Sequence, residues 1–267
     1  MQKLLVIKIG GNIVDDETKL SQFLKDFAAV EGKKILIHGG GKLATRIAEA
    51  MGIQQQMVEG RRITDVETLK IVTMVYAGYI NKNIVAQLQA YGCNAIGLSG
   101  PDANIIQAIK RNSDSGVGIK GIDYGFAGDI EFVNTDLLKL LLDNGFSIIL
   151  SPITHNKKGQ LLNTNADTIA GETAKALSVA YDVSLVYSFD KSGVLLDADD
   201  DTTVIPIIRS GEYEQLKAEH KIFAGMIPKL DNAFSALNSG VSKVIIGNAE
   251  QLQNLISGTS GTILTHE

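Results

Sequence analysis

One cysteine in 267 residues, Cys93, excludes a disulfide framework and any metal site built from several cysteines. It lies in YGCNAIGL, just before an apolar run, and reads as a small buried hydrophobe rather than a nucleophile. Four prolines are too few for a Pro-rich linker, and no repeat or low-complexity tract interrupts the chain. No apolar stretch reaches the roughly 18 residues that crossing a bilayer requires. The apolar run in MQKLLVIKIGG is too short for a signal h-region, and no small-residue cleavage site follows it, so a cytoplasmic protein is expected. Basic residues are outnumbered, 25 Lys and Arg against 30 Asp and Glu, for a net charge of −5. That balance argues against nucleic-acid binding by general electrostatics, and an anionic ligand has to be held by a few local cations. His155, His220 and His266 are too scattered to suggest a metal site, and His38 reads as a structural strand-end residue.

With 45% hydrophobic and 21% charged residues the composition is that of an ordinary globular protein, and the length is near the upper limit for one core. Short β-branched runs alternate with helical periodicity. Strands are expected at Leu4–Ile9, Lys34–His38, Ala95–Leu98, Ser147–Ser151, Val183–Ser188 and Lys243–Gly247. Helices are expected at Asp16–Val30, from the glycine turn 39–41 through Met51, and over Asp65–Tyr91. The last opens with a capping box at Thr64 and Glu67. Further helices follow at Thr135–Asn144, Asn165–Leu177 and Met226–Ser239. Between Ala103 and Val133, glycines break the pattern into a small antiparallel patch, and the acidic run Asp197–Asp201 reads as a solvated loop. Near-continuous apolar strands separated by helices imply a mainly parallel sheet covered on both faces. One continuous fold with two lobes is expected.

Glycine turns carry the first chemical signal. A formal G-x-G-x-x-G at Gly116, Gly118 and Gly121 is a decoy, since no helix opens from it. The relaxed form at Gly39, Gly41 and Ala44 has the strand–turn–helix context of a dinucleotide fold. Its expected acid, Glu59, follows a poor strand. The Walker pattern is absent, although Gly41-Lys42 superficially suggests it. Gly10-Gly11, Gly39–Gly41 and Ser99-Gly100 all follow expected parallel strands, where backbone N–H groups and helix N-termini hold anions. Lys8 interrupts a buried strand, where a charge is costly unless it meets a counter-charge; snorkelling to solvent is the plainer alternative. Lys229 falls in a first helical turn after Pro228. Asn165 caps a helix whose first turn carries Asp167.

VIKIGGN, IHGGGK, EGRRITD, LSGPDAN, LLNTNADTIA, SFDKSGVLLD and GMIPKLDNA stand in an order and spacing that resembles the amino acid kinase family, and within it the acetylglutamate kinases. The similarity runs from about residue 3 to residue 264. It implies a three-layer αβα sandwich with a mainly parallel, open central sheet. The acylglutamate would sit on an N-terminal lobe, to about residue 163, and ATP on the remainder. It also implies ATP-dependent phosphorylation of the γ-carboxylate of N-acetyl-L-glutamate, in arginine biosynthesis. Lys8 and Lys229 match the lysines that neutralise the transferring phosphoryl group, and Asp167 the carboxylate that orients them. Gly40 and Gly41 match the turn holding the reacting carboxylate, with Gly11 beside it at the nucleotide. Arg62 and Asn163 match the clamp on the α-carboxylate. Asp190, Lys191, Ser192, Gly193, Val194, Leu195, Lys221, Ile222 and Phe223 match nucleotide-contacting segments. Mg²⁺ is expected to ride on the ATP phosphates, with no dedicated protein cage.

Aspartokinase and glutamate 5-kinase chains carry appended domains for which this chain has no room, and an aminoadipate-type kinase acting on a carrier protein would call for a more basic face. A nicotinamide-dependent oxidoreductase and a non-catalytic amino-acid sensor are the readings from other classes. The first strand begins near Leu4, leaving no residues for the N-terminal helix of arginine-inhibited relatives, so a homodimer insensitive to arginine is expected. Where the family reads roughly G-L-R-V-T, this chain has Gly60-Arg61-Arg62-Ile63-Thr64. The added Arg61 fits the extra carboxylate of N-succinyl-L-glutamate, unless strand alternation turns it to solvent.

Overall fold

A computed structural model describes residues 1–58, 61–112, 121–197, 200–219, 221–222 and 226–266. Phe223, Glu59, His220, Gly60, Gly116 and Gly118 lie outside the described residues. In chain order the first elements are β1 (Gln2–Ile9), α1 (Gly11–Val14), α2 (Glu17–Ala29), β2 (Lys33–His38) and α3 (Gly41–Ala50). Next come β3 (Gln56–Val58), β4 (Arg61–Ile63), α4 (Val66–Thr73), α5 (Asn81–Ala90), β5 (Ala95–Leu98), β6 (Ile106–Lys110) and β7 (Gly128–Val133). Then follow α6 (Thr135–Asp143), β8 (Ser147–Leu150), β9 (Ile153–His155), β10 (Leu161–Asn163), α7 (Ala166–Leu177) and β11 (Tyr181–Phe189). The chain continues through β12 (Ile207–Arg209), α8 (Ser210–Ala218), α9 (Ile227–Asn238), β13 (Lys243–Asn248), α10 (Leu252–Ser257) and β14 (Thr262–Thr265). No helix of the described residues is long and apolar enough to cross a membrane.

Two compact units divide these elements: Met1–Leu36 with Ala170–Glu267, and Ile37–Ile169. The sequence suggested a division in chain order near residue 163; contacts instead group the first strand and helix with the C-terminal elements.

In the first unit the strand order is β12-β14-β13-β11-β1. β1 runs parallel to β11 with Lys8 opposite Tyr187 and Ile9 opposite Ser188, and β11 runs parallel to β13. Only the β13–β14 pair among these neighbours is antiparallel. The apolar runs fill the core as their composition demands: Val6, Ile7 and Ile9 are fully buried, as are Val183, Leu185 and Val186. α2 buries Leu20, Phe23, Leu24 and Phe27, the spacing of one helical face. Asp16 caps it by accepting from the Thr18 and Lys19 N–H groups at 3.0 Å.

In the second unit β5 pairs parallel with β8, and a separate sheet runs β10-β9-β6-β7, with β6 and β7 antiparallel as the glycine-broken stretch suggested. β3 and β4 form a two-stranded antiparallel ribbon. The expected helix over Asp65–Tyr91 is interrupted by a π-helical segment, Met74–Ile80, which turns Tyr76 and Ile80 into the interior. Its cap is also different. Asp65, not Thr64, accepts from the Thr68 N–H, at 2.8 Å. Thr64 cannot cap because its backbone is already paired: its N–H donates to Tyr124 C=O and its C=O accepts from Phe126 N–H.

Candidate active site

In the first unit, the carboxyl ends of β1 and β11 bring several of the expected residues together. The Gly10 N–H donates to Ser188 C=O at 3.1 Å, and Ser188 Oγ returns a bond to Lys8 C=O at 3.0 Å. Lys8, half-buried, is therefore carried on a strand end pinned twice to Ser188 of β11. Gly10 then starts the short helix α1, whose Asn12 side chain donates to the Asp190 carboxylate just beyond β11. Lys229, in the first turn of α9, places its ammonium 4.5 Å from the centroid of Phe189, the last residue of β11. α9 is braced against α8. Tyr213 stacks on Phe234 and donates to Asp231 at 2.6 Å, and Lys217 reaches the same oxygen at 2.7 Å. Burial opposes ionisation of Asp231, but the bonds from Lys217 and Tyr213 outweigh it and hold its carboxyl below the ordinary range.

The segment after β11 divides by burial. Asp190 and Lys191 are exposed, the latter 3.8 Å from Asp201. Gly193, Val194 and Leu195 are packed inward, and a Cβ on Gly193 would lie 2.7 Å from Thr262 Oγ1. The Val194 N–H donates to that same hydroxyl at 2.8 Å. Val194, Leu195 and the buried Ile222 thus supply core packing with their side chains, and the Val194 C=O in turn accepts from the Ile205 N–H. Lys221 pairs with Glu219 at 2.7 Å and is exposed.

In the second unit a cavity of about 190 Å³ is lined by Gly39, Gly40, Gly41, Arg61, Arg62 and Asn163, together with Tyr76, Arg111 and the start of α7. Its floor is knitted by the backbone. Just past β4 the Phe126 N–H donates to Thr64 C=O and the Thr64 N–H to Tyr124 C=O, Asn163 N–H donates to Phe126 C=O, and Arg111 N–H donates to Ala127 C=O. Three distant stretches of sequence are thereby brought to one place. Arg62, 9% exposed, donates through Nη2 to Gly41 C=O and Thr45 Oγ1, both at 2.9 Å, and through Nη1 to Gln55 Oε1. All three acceptors are neutral, so a buried positive charge faces the cavity without a carboxylate among the described residues. Asn163 is held by its own bond to Thr64 Oγ1 at 3.0 Å. Gly40 is the N-cap of α3, at φ 147°, and no side chain caps that helix start, which suits it to an anion. Asn165 caps α7 by accepting from the Asp167 N–H at 2.7 Å, which puts Asp167 in the first turn.

His38 is fully buried at the entrance to the glycine turn. Its Nδ1 lies 2.8 Å from the Gly39 carbonyl, which only accepts, so Nδ1 carries the proton; Nε2 then accepts from Asn81 Nδ2 at 3.3 Å. Burial, with a smaller push from Lys82, lowers its pKa from 6.5 to about 4 against the opposing Gly39 bond. A buried neutral histidine stabilises the fold above the unfolded pKa, and that contribution disappears as pH falls from about 6.5 towards 4. Unfolding measured at pH 7 and pH 4.5 should therefore show a loss of about 2 kcal/mol from this residue, absent from His38→Gln. Equal pH slopes for the two proteins would refute it.

The amino acid kinase family model matches residues 3–248. The chain belongs to the amino acid kinase family. Family members similar along nearly the whole length include the acetylglutamate kinase of Phocaeicola vulgatus, 54% identical over 263 residues and 98% of each chain. That of Methanopyrus kandleri is 39% identical over 97% of this chain and 99% of its own. Among solved structures, N-acetylglutamate synthase from Neisseria gonorrhoeae, complexed with coenzyme A and N-acetyl-glutamate, superposes with a TM-score of 0.81 at 26% identity. All of this chain is covered there, and it spans 60% of the synthase's length. Carbamate kinase from Giardia lamblia, at 16% identity, shares the fold, with a TM-score of 0.71 over 100% of this chain and 99% of its own.

Against that family background, the structure gathers Gly40, Gly41, Arg62 and Asn163 around one cavity, and Lys8, Gly11, Asp190 and Lys229 around the ends of β1 and β11. Asp167 belongs to the second unit. Sequence reasoning missed Arg111, Tyr76, Thr45 and Gln55. Arg111 had a legible signal, a cation just past the apolar strand β6. The others are ordinary helix and loop residues until the fold is known. Arg61 lines the cavity beside Arg62, so strand alternation does not send it to solvent; β4 is only three residues of a two-stranded ribbon, where twist is largest.

Proposed function

We propose that this chain transfers the γ-phosphoryl group of ATP to the γ-carboxylate of N-acetyl-L-glutamate. A carboxylate oxygen attacks the γ-phosphorus, the bond from that phosphorus to the oxygen bridging to the β-phosphate breaks, and ADP leaves with the electron pair. No general base is needed, because the carboxyl is ionised near neutral pH. The observation that carries the reading is the cavity around Arg62 and Asn163 in a chain more than half identical, end to end, to acetylglutamate kinases. A buried guanidinium with only neutral partners needs an anion, and the α-carboxylate of an acylated amino acid supplies one. The uncapped start of α3 at Gly40 and Gly41 then receives the reacting carboxylate.

Lys8 and Lys229 are the proposed cations that take up charge spreading over the transferring phosphoryl oxygens, with Asp167 as their carboxylate. The nucleotide is assigned to Gly11, Asp190 to Leu195, and Lys221 to Phe223. Mg²⁺, bound to the ATP phosphates, would neutralise part of their charge. The same reading makes the protein a cytoplasmic homodimer; a monomer by light scattering would contradict the dimer. The nicotinamide alternative finds no support in the family to which the chain belongs.

ADP release and hydroxylamine trapping of an acyl phosphate, with N-acetyl-L-glutamate, N-acetyl-L-aspartate and N-acetyl-L-aminoadipate, test the function. Preferred turnover of the first is expected, and ADP release without a trapped acyl hydroxamate would end the proposal. Arg62→Ala should raise KM for the acylglutamate about ten- to a hundredfold with a smaller change in kcat, the signature of lost ground-state binding. An unchanged KM would remove Arg62 from the clamp.

A further inference from the structure

Three guanidinium groups line the cavity of the second unit, and they are not equivalent. Arg111 is matched: its Nε and Nη2 donate to one Asp129 oxygen at 2.9 and 2.6 Å, and its plane lies over the Tyr124 ring. Arg62 is held by three bonds, to Gly41, Thr45 and Gln55, which fix its guanidinium and use three of its five N–H donors. Arg61 is different. Its Nη1 is buried and has no hydrogen-bond partner, and the residue meets no carboxylate among the described residues. A buried charged donor left unsatisfied is expensive, and a cavity wall that holds one is built for an anion that completes it. None of the lining residues is acidic, so after Arg111 is balanced by Asp129 the wall carries two cations. N-acetylglutamate brings only one carboxylate besides the one that reacts.

We propose that Arg61 forms a second anion subsite that takes the free carboxylate of a dicarboxylic N-acyl group, extending the acceptors of this kinase from N-acetylglutamate to N-succinylglutamate. The inference rests on the proposed function for its chemistry, but the subsite is a binding claim and can be read without turnover. The chemistry of the transfer is unchanged, since the added carboxylate is remote from the phosphoryl acceptor. A charge-assisted contact from a desolvated guanidinium is worth about a ten- to hundredfold gain in affinity.

The experiment compares N-acetyl-, N-succinyl- and N-butyryl-L-glutamate in the full chain, by kcat/KM and by calorimetry without ATP. Butyryl matches the four-carbon length of succinyl and lacks its charge, so it separates the ion contact from mere room. Succinylglutamate is expected to bind and turn over at least tenfold better than butyrylglutamate. Arg61→Met, which keeps an apolar stem, and Arg61→Ala should each reduce that preference at least tenfold. Equal handling of the succinyl and butyryl compounds, or a preference that survives both substitutions, overturns the subsite. Should neither variant fold, the wild-type comparison decides alone. If no acylglutamate releases ADP, the kinase reading fails, while the calorimetric preference still reports on Arg61.

Discussion

Replacing Lys8 or Lys229 by Ala is expected to lower kcat by about a hundredfold or more while the protein still folds. Both residues belong to the unit built on β1 and β11, and neither is part of its apolar core. Lys8 interrupts a strand whose backbone bonds to Ser188 do not involve its side chain, so its loss leaves the strand in place. Lys229 is an exposed first-turn residue of a helix held by Tyr213, Asp231 and Phe234. Their proposed role is electrostatic: phosphoryl transfer concentrates charge that a fixed ammonium stabilises more in the transition state than in the ground state. A hundredfold loss corresponds to about 2.7 kcal/mol of barrier, ordinary for one such group. The split between constants is diagnostic. KM for ATP should move far less than kcat, and full activity in folded Lys8→Ala would falsify the assignment of that lysine.

The second large effect belongs to Gly40→Ala. At φ 147° this position is strained for any residue with a side chain, at a cost of about 1–3 kcal/mol. The added methyl would also run into Ile80 Cδ1 and lie 3.2 Å from Tyr76 Cδ1, both on the buried face of the π-helical segment. The contact is relieved by displacing the buried Ile80 side chain or the start of α3, and the second route moves the Gly41 carbonyl that anchors Arg62. Acylglutamate kinetics should therefore fall by tenfold or more in kcat/KM, together with a drop in melting temperature. Gly52→Ala supplies the control. It has φ 74° but open space around the new methyl, so it should lose stability alone. Matching kinetic losses in the two variants would show that the crowding at Gly40 is irrelevant.

Much of this protein is decided locally, and those parts were legible from composition and spacing. The buried parallel strands follow from β-branched runs such as LLVIKI and SIIL, which cannot remain in water. α2 follows from its apolar face and from Asp16, the antiparallel patch from its glycines, and the burial of Cys93 from its flanking sequence. The glycine turn after β2 and the cap at Asn165 are equally local, because a few backbone dihedrals and one side-chain bond specify them. Other features depend on which distant segments meet, and no window of sequence contains that information. Thr64 lost its capping role because Tyr124 and Phe126 claimed its backbone. The helix over Asp65–Tyr91 is broken by a π segment, which packs Tyr76 and Ile80 against the Gly40 turn. Met1–Leu36 joins the C-terminal half because β1 finds its parallel partner in β11, nearly 180 residues away. Arg111 enters the cavity by the same route, through a backbone bond to Ala127. Arg61 and Arg62, neighbours on a strand and so expected on opposite faces, line one cavity from a strand only three residues long in a two-stranded ribbon. Residue type set what each side chain is able to do; long-range backbone pairing decided which of them do it together, since a hydrogen-bonded neighbour is chosen by the whole fold and not by adjacency in the chain.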